Sequence, residues 1–298
     1  MVCSFRRLEK GGSAMRLSID SFVPQHEKLL CIDSDGTVID AMNVKHIRCH
    51  GKSFIEEWGL ADHAKEVQDI WNDINLYEKT RGINRFLALD EMLTRMEGAY
   101  LHTDPEEWED YRAWIKEGSL SNKSLQARID TDSNPLLRKA MRWSKSLNEK
   151  IAALTPADKP PFENVREALE EAKGKVDLAV ISSSNLSAIT EEWNAYGLLD
   201  YLSVMTSQEI GTKDECIARM LEKGYKKENV LMIGDAYPDV DASASNGVWY
   251  YPILTRHEGE SWAELKNVYL PMFLAGRYGE VQDELMSRFS RNFENKGE

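Results

Sequence analysis

Short apolar runs, each followed by a polar turn and a helical pattern, constrain this chain more than any other feature. The runs cover residues 29–32, 178–181, 230–233 and 248–254. Each has the length of a strand and is apolar throughout rather than alternating, as strands buried on both faces are. Helical patterns fall between or after them at residues 164–172, 186–196, 213–223 and 239–245. Strand and helix in alternation predict an α/β fold, a doubly wound parallel sheet covered by helices.

The middle of the chain breaks that rhythm. Residues 61–78, 83–96, 105–116 and 135–153 read as amphipathic helices, with Val67, Ile70, Trp71 and Ile74 at helical spacing in the first, and no run there reads as a strand. Trp58, Trp71, Trp108, Trp114 and Trp143 lie in this stretch, five of the eight tryptophans, enough for a core of its own. They are read as core packing rather than as a ligand platform. The sequence PADKPPF closes the stretch with three prolines in seven residues, the composition of a linker. The expected organisation is therefore a discontinuous α/β domain, residues 1–40 and 160–298, with an all-helical domain, residues 41–159, inserted into it. After Ser261 two or three further helices are expected, packing on the α/β core or mediating self-association.

Four strand or helix ends carry chemistry. The first run ends in LLCIDSDGTVID, which sets Asp33 and Asp35 just past the carboxyl end of a strand, where open α/β sheets bind ligands. Gly36 permits a sharp turn, and Thr37 is expected to bond the backbone of that turn. Two carboxylates so placed can divide labour, one as nucleophile and one as proton donor and acceptor. After the second run come Ser182, Ser183, Ser184 and Asn185. A hydroxyl before a helix can hold a phosphate oxygen beside backbone N–H groups, and it can equally cap the helix. Lys213 opens a helix, where its charge opposes the helix dipole, so an anionic partner would explain it, though an exposed lysine would look the same. Asp235 follows Gly234 at the end of the third run and Asp239 comes four residues later, an oxygen-rich pair suited to a hard cation such as Mg2+.

Taken together, Asp33-x-Asp35-Gly-Thr, Ser182, Lys213 and Gly234-Asp235-xxx-Asp239 resemble the four motifs of the haloacid dehalogenase-like (HAD) hydrolase superfamily, in that family's order. The resemblance covers residues 28–40 and 162–255, and the helical insertion looks like the cap of the C1-capped, phosphatase-type subgroup on a Rossmann-like core. It implies that Asp33 attacks phosphorus to form an aspartyl-phosphate, and that Asp35 protonates the leaving oxygen and then activates water. It implies Mg2+ held by the side chains of Asp33 and Asp235 and the backbone carbonyl of Asp35, with Asp239 supporting that shell. Ser182 and Lys213 would bind the transferring phosphoryl oxygens, with Ser183 and Asn185 beside them. An aspartate at position 35 points to phosphate esters rather than carbon–halogen bonds. Ser34 and the Tyr237–Pro238 pair depart from the family pattern. Ser34 is expected to point away from the nucleophile, and Pro238 to start the next helix.

The activity implied is Mg2+-dependent hydrolysis of a small phosphorylated metabolite, with a phosphomutase as the alternative and a phospho-acceptor or binding protein as a more distant one. Specificity is expected from the insertion. Lys79, Arg81 and Arg85 surround Gly82 in NLYEKTRGINRF, a basic turn that could clamp a second anionic group on the substrate or merely be solvated. His46, near Lys45 and His50, is a further candidate for substrate contact. Arg256 and His257 would line the rim.

The balance of 37 Lys and Arg against 50 Asp and Glu, a net charge of −13, argues against nucleic-acid binding and against an electrostatically held membrane surface. Residues 41–160 hold 18 basic and 20 acidic side chains, so most of that acidity belongs to the α/β domain, which carries the proposed cation site. The four cysteines form no metal-binding or disulfide pattern, no apolar run approaches the length of a membrane span, and the first twenty residues lack the apolar stretch of a signal peptide. Met15 is read as an alternative start. A cytoplasmic monomer or homodimer is expected.

Overall fold

The structure is a computed structural model that describes residues 18–294. Cys3 and Met15 lie outside the described residues. The chain divides into two compact units, one of residues 18–40 and 160–290, the other of residues 41–159 and 291–294.

The first unit is built on five strands, β1 (Leu29–Ile32), β2 (Asp177–Ile181), β3 (Val204–Thr206), β4 (Val230–Gly234) and β5 (Trp249–Pro252). They stand in the order β3-β2-β1-β4-β5, and every pairing is parallel. In register, Leu29 faces Asp177 on one side and Val230 on the other. The chain therefore leaves β1 in one direction, through β2 and β3, and returns to its other side with β4 and β5. That reversal makes the carboxyl end of β1 a topological switch point, the place where such sheets gather ligands. Strands β1, β2 and β4 are buried along their whole length, which is why their sequences, Asp177 at the start of β2 apart, are apolar without alternation.

Three helices of this unit follow their expected spans closely, at Val165–Ala172, Leu186–Ala195 and Lys213–Leu221. The fourth begins earlier than expected, at Tyr237, because Pro238 occupies its first turn, where the missing N–H costs nothing. Strand β3 has no counterpart in the sequence reading. It is three residues long, next to Ser203 and Ser207, and too short for an apolar run to show. The last segment forms helices Glu258–Glu264, Leu270–Leu274 and Gln282–Glu294. Phe273, Leu285 and Phe289 are buried, so this segment packs on the α/β unit.

The second unit is helical, with Lys52–Trp58, Ala64–Asn72, Arg85–Met96, Pro105–Lys116, Asn122–Thr131 and Pro135–Ala152 as its main elements. The single helix expected over residues 61–78 is broken into a 3-10 turn (Ala61–His63), an α-helix and a π-helical turn (Asp73–Tyr77). Its starts are written in side chains. Asn84, Asp104, Ser121 and Asn134 each accept a backbone N–H of the first turn, and prolines follow Asp104 and Asn134. Each such cap contributes about 1 kcal/mol. Trp71, Trp114 and Trp143 are buried, with Trp71 edge-on to Trp143 at 5.7 Å and Phe86 edge-on to Trp114 at 5.0 Å. Trp58 stacks on Phe54 at 4.4 Å, and Trp108 lies under the guanidinium of Arg112. All five tryptophans thus have packing partners. Among the described residues no helix is long and apolar enough to cross a membrane, and Cys31, Cys49 and Cys216 are buried free thiols.

Candidate active site

The carboxyl end of β1 is held by backbone before any side chain acts. Asp33 N–H continues the ladder to the Ile233 carbonyl at 3.0 Å, and Val38 and Ile39 N–H both close back onto the Ser34 carbonyl at 2.9 Å. Gly36 stands at φ +86°, a conformation that a side chain would strain. Ser34 points away from the acids: its hydroxyl oxygen accepts the Trp193 indole N–H at 2.9 Å in the buried core. That bond satisfies a polar residue where an apolar one would otherwise sit. Thr37 corrects one expectation. Its hydroxyl does not serve the backbone of its own turn but donates to Asp235 Oδ1 at 2.7 Å, with Asp33 Oδ2 at 3.4 Å.

Three carboxylates meet here. Asp33, Asp235 and Asp239 are buried, and each offers an oxygen within 4.8 Å of the others. Lys213, on the first turn of its helix after the Thr212 cap, extends Nζ between them, 2.9 Å from Asp33 Oδ1 and 2.5 Å from Asp239 Oδ1. The anionic partner that its position asked for is the acid cluster itself. Gly234 makes room for this arrangement, since a Cβ there would fall 2.4 Å from Asp239 Cγ.

Burial raises the Asp33 carboxyl well above its ordinary range; Lys213 opposes the shift, while Asp239 and Asp235 reinforce it. Asp239 is raised for the same reasons, burial first. Burial works against the charged form of Lys213, but Asp239 and Asp33 together overcome it and hold the ammonium above its usual value. One ammonium among three buried carboxylates leaves surplus negative charge, which a buried site accommodates only with protons or a cation. The donors are all oxygens, the set that hard divalent ions take, so the residues fit Mg2+.

Asp35 stands outside that trio. Its carboxylate is half-buried, and Oδ2 accepts the Ser184 hydroxyl at 2.8 Å. Ser182 is buried just past β2, its oxygen accepting the Ser184 N–H at 3.2 Å. Ser183 is exposed. Asn185 caps its helix: its side-chain oxygen accepts from Ala188 N–H at 2.9 Å and from the Ser187 hydroxyl at 2.8 Å.

The candidates in the helical unit are placed separately. Lys79 is exposed, but Arg81 is not part of a solvated turn: it is 1% exposed, and Nη1 donates to the Leu76 carbonyl at 3.1 Å. Arg85 donates to Asn148 Oδ1 at 2.6 Å and Ser144 Oγ at 3.3 Å, both neutral, and burial lowers its pKa. Among the described residues no carboxylate pairs with it. His46 is buried, and its Nδ1 accepts the Trp71 indole N–H at 3.2 Å. His257 is exposed and faces Glu260.

Sequence reasoning missed two side chains that shape the site. Ser184 was visible only as the third serine of a run, and nothing in spacing ties it to Asp35. Tyr250 donates its hydroxyl to the Gly234 carbonyl at 2.8 Å, from a strand that carries no motif.

The family model for haloacid dehalogenase-like hydrolases matches residues 111–251, a span that includes Ser182, Lys213, Asp235 and Asp239. No curated protein matches the chain. Among solved structures, a HAD-superfamily hydrolase of subfamily IA from Geobacter sulfurreducens is 17% identical, with 76% of this chain and 86% of that chain covered and a TM-score of 0.41. A protein provisionally named phosphoglycolate phosphatase from Lactobacillus plantarum is 11% identical over 79% and 90%, with a TM-score of 0.43. One provisionally named beta-phosphoglucomutase from Thermotoga maritima is 16% identical over 81% and 99%, with a TM-score of 0.45. The last three of the four motifs, at strand and helix ends of one doubly wound sheet, thus lie in the part of the chain that is similar to the haloacid dehalogenase-like hydrolase family.

Proposed function

We propose that this protein is a Mg2+-dependent phosphohydrolase that cleaves a small phosphomonoester through an aspartyl-phosphate on Asp33. The observation that carries this reading is the buried cluster in which Lys213 bridges Asp33 and Asp239 beside Asp235. The side chains of Asp33 and Asp235 and the Asp35 carbonyl would hold the ion, with Asp239 anchoring Lys213 and the shell. When bound, Mg2+ neutralises charge on the phosphoryl oxygens.

The chain's own residues do the rest. An Asp33 oxygen attacks phosphorus as the ester P–O bond breaks, and the leaving oxygen takes the proton from Asp35. Asp35 then removes a proton from a water whose oxygen attacks phosphorus, which releases phosphate and restores Asp33. Ser182 and Lys213 hold the phosphoryl oxygens through both steps, and Ser184 keeps the Asp35 carboxyl aimed. This is positioning and charge stabilisation, the main requirement of phosphoryl transfer.

Substrate choice is assigned first to Arg85, a guanidinium whose partners among the described residues are neutral and whose chemistry suits a second carboxylate or phosphate on the substrate. Arg85→Met should raise KM for doubly anionic phosphomonoesters by about tenfold, the worth of one charge-assisted pair, and leave aryl phosphate turnover nearly intact.

The decisive experiment measures phosphate release from an aryl phosphate and from a panel of phosphorylated metabolites, with and without Mg2+, for the wild type and Asp33→Asn. Loss of all Mg2+-dependent release in folded Asp33→Asn is expected. Robust release in that variant would overturn the nucleophile, and isomerised product without free phosphate would make the enzyme a mutase.

A further inference from the structure

No motif lies in the residues after β5, yet the structure ties them to the acidic loop through Tyr250. Tyr250 stands on the sheet's edge strand, and the C-terminal segment holds its outward backbone groups: its N–H donates to Gln282 Oε1 at 2.9 Å, and its carbonyl accepts the Tyr278 hydroxyl at 2.9 Å. The Tyr250 hydroxyl in turn donates to the Gly234 carbonyl at 2.8 Å, an oxygen that the Ile253 N–H also reaches at 2.8 Å. Phe289, fully buried on the last helix, packs its ring 5.6 Å from Tyr250 and 5.1 Å from Tyr237. Tyr237 lies between Asp235 and Asp239. Both the end of β4 and the first turn of the helix Tyr237–Asn246, the stretch that carries these acids, are therefore held from the C-terminal segment.

That stretch has little tolerance. The missing Cβ of Gly234 is what lets Asp239 approach, so a shift of the Gly234 peptide moves Asp239 as well as Asp235. We propose that residues 278–289 brace the cation site, with Tyr250 and Phe289 as positioning residues for Asp235 and Asp239. The proposal rests on the reading of the acid cluster as a cation site. It gives the C-terminal segment a task in the site's affinity, through groups that never touch the ion.

The test uses the full-length protein and Mn2+ as the probe, with free Mn2+ followed by electron paramagnetic resonance. Tyr250→Phe deletes one hydroxyl, Phe289→Leu removes the ring contact, and Leu169→Ala, buried on the helix Val165–Ala172, serves as a comparison for loss of Tm. The brace predicts Mn2+ Kd values raised about tenfold in Tyr250→Phe and Phe289→Leu, the usual size of such outer effects, with Leu169→Ala within about twofold of the wild type. Wild-type affinity in both brace variants, beside a wild type that binds Mn2+, would overturn the brace alone. A wild type that binds no Mn2+ would overturn the cation site and the brace with it. If Phe289→Leu does not fold, Tyr250→Phe decides.

Discussion

The hydroxyl of Ser184 donates to Oδ2 of Asp35 at 2.8 Å, joining residues 149 positions apart at neighbouring strand ends. Because β2 lies beside β1 in parallel register, the turn after one strand can aim the acid after the other. A proton donor that must later accept a proton gains from a fixed rotamer, since its oxygen has to meet two different partners in turn. Ser184→Ala should lower kcat about tenfold, the order of one hydrogen bond to a charged group, with Mn2+ affinity unchanged. Ser184→Thr should restore most of it. A fall in metal affinity instead would place Asp35's side chain in the cation shell.

Gly234→Ala probes the tightest approach in the site. Its Cβ would sit 2.4 Å from Asp239 Cγ, a separation that packed atoms do not tolerate. The strand is buried on both faces, so the carboxylate must yield, and its bond to Lys213 breaks with it. Activity should drop by at least about a hundredfold, the scale of losing a positioned charge in phosphoryl transfer. Circular dichroism should show the fold retained. Full activity in Gly234→Ala would mean that Asp239 is not where the reaction needs it.

Lys213 also carries a stability argument. Its removal leaves Asp33 and Asp239 buried without their shared cation, and breaking a buried pair costs about 3–5 kcal/mol. Lys213→Met should therefore unfold at markedly lower urea in EDTA, and regain part of the difference in excess Mg2+. Equal urea midpoints for the wild type and Lys213→Met in EDTA would show that the acids are protonated and need no partner.

How much of this was legible in the sequence depends on what kind of interaction fixes each residue. Asp33, Lys213, Asp235 and Asp239 are set by strand ends and a helix start, and those boundaries show in apolar runs and caps. Ser184, Thr37 and Tyr250 are set by which strands are neighbours, and strand order is not written in any local pattern. Asn185 and Arg81 show the opposite difficulty. Asparagine before a helix caps it whether or not a ligand is near, and arginine beside a glycine looks solvated until the fold buries it. The break at Asp73–Tyr77 was equally hidden, because Ile74 keeps the helical spacing that the backbone abandons.

His50 gives the helical unit a pH dependence that can be assigned in advance. Burial first, then the neighbouring His46 and the positive charges of Arg85 and Lys45, hold its imidazole well below the usual value. Its Nδ1 is buried without a hydrogen-bond partner among the described residues, and its ring lies 4.5 Å from that of His46 and edge-on to Trp143 at 6.3 Å. The folded chain thus keeps His50 neutral while the unfolded chain binds a proton below about pH 6.5. The contribution is fully present above that pH and is lost as pH falls toward the depressed folded value, by up to about 1.4 kcal/mol per pH unit. Urea unfolding of the wild type between pH 7.5 and 5 should show that loss. His50→Phe, which keeps an aromatic ring but cannot titrate, should lose less over the same range. Parallel slopes for the two proteins would show that His50 is protonated in the folded chain, and that the acid sensitivity has another source.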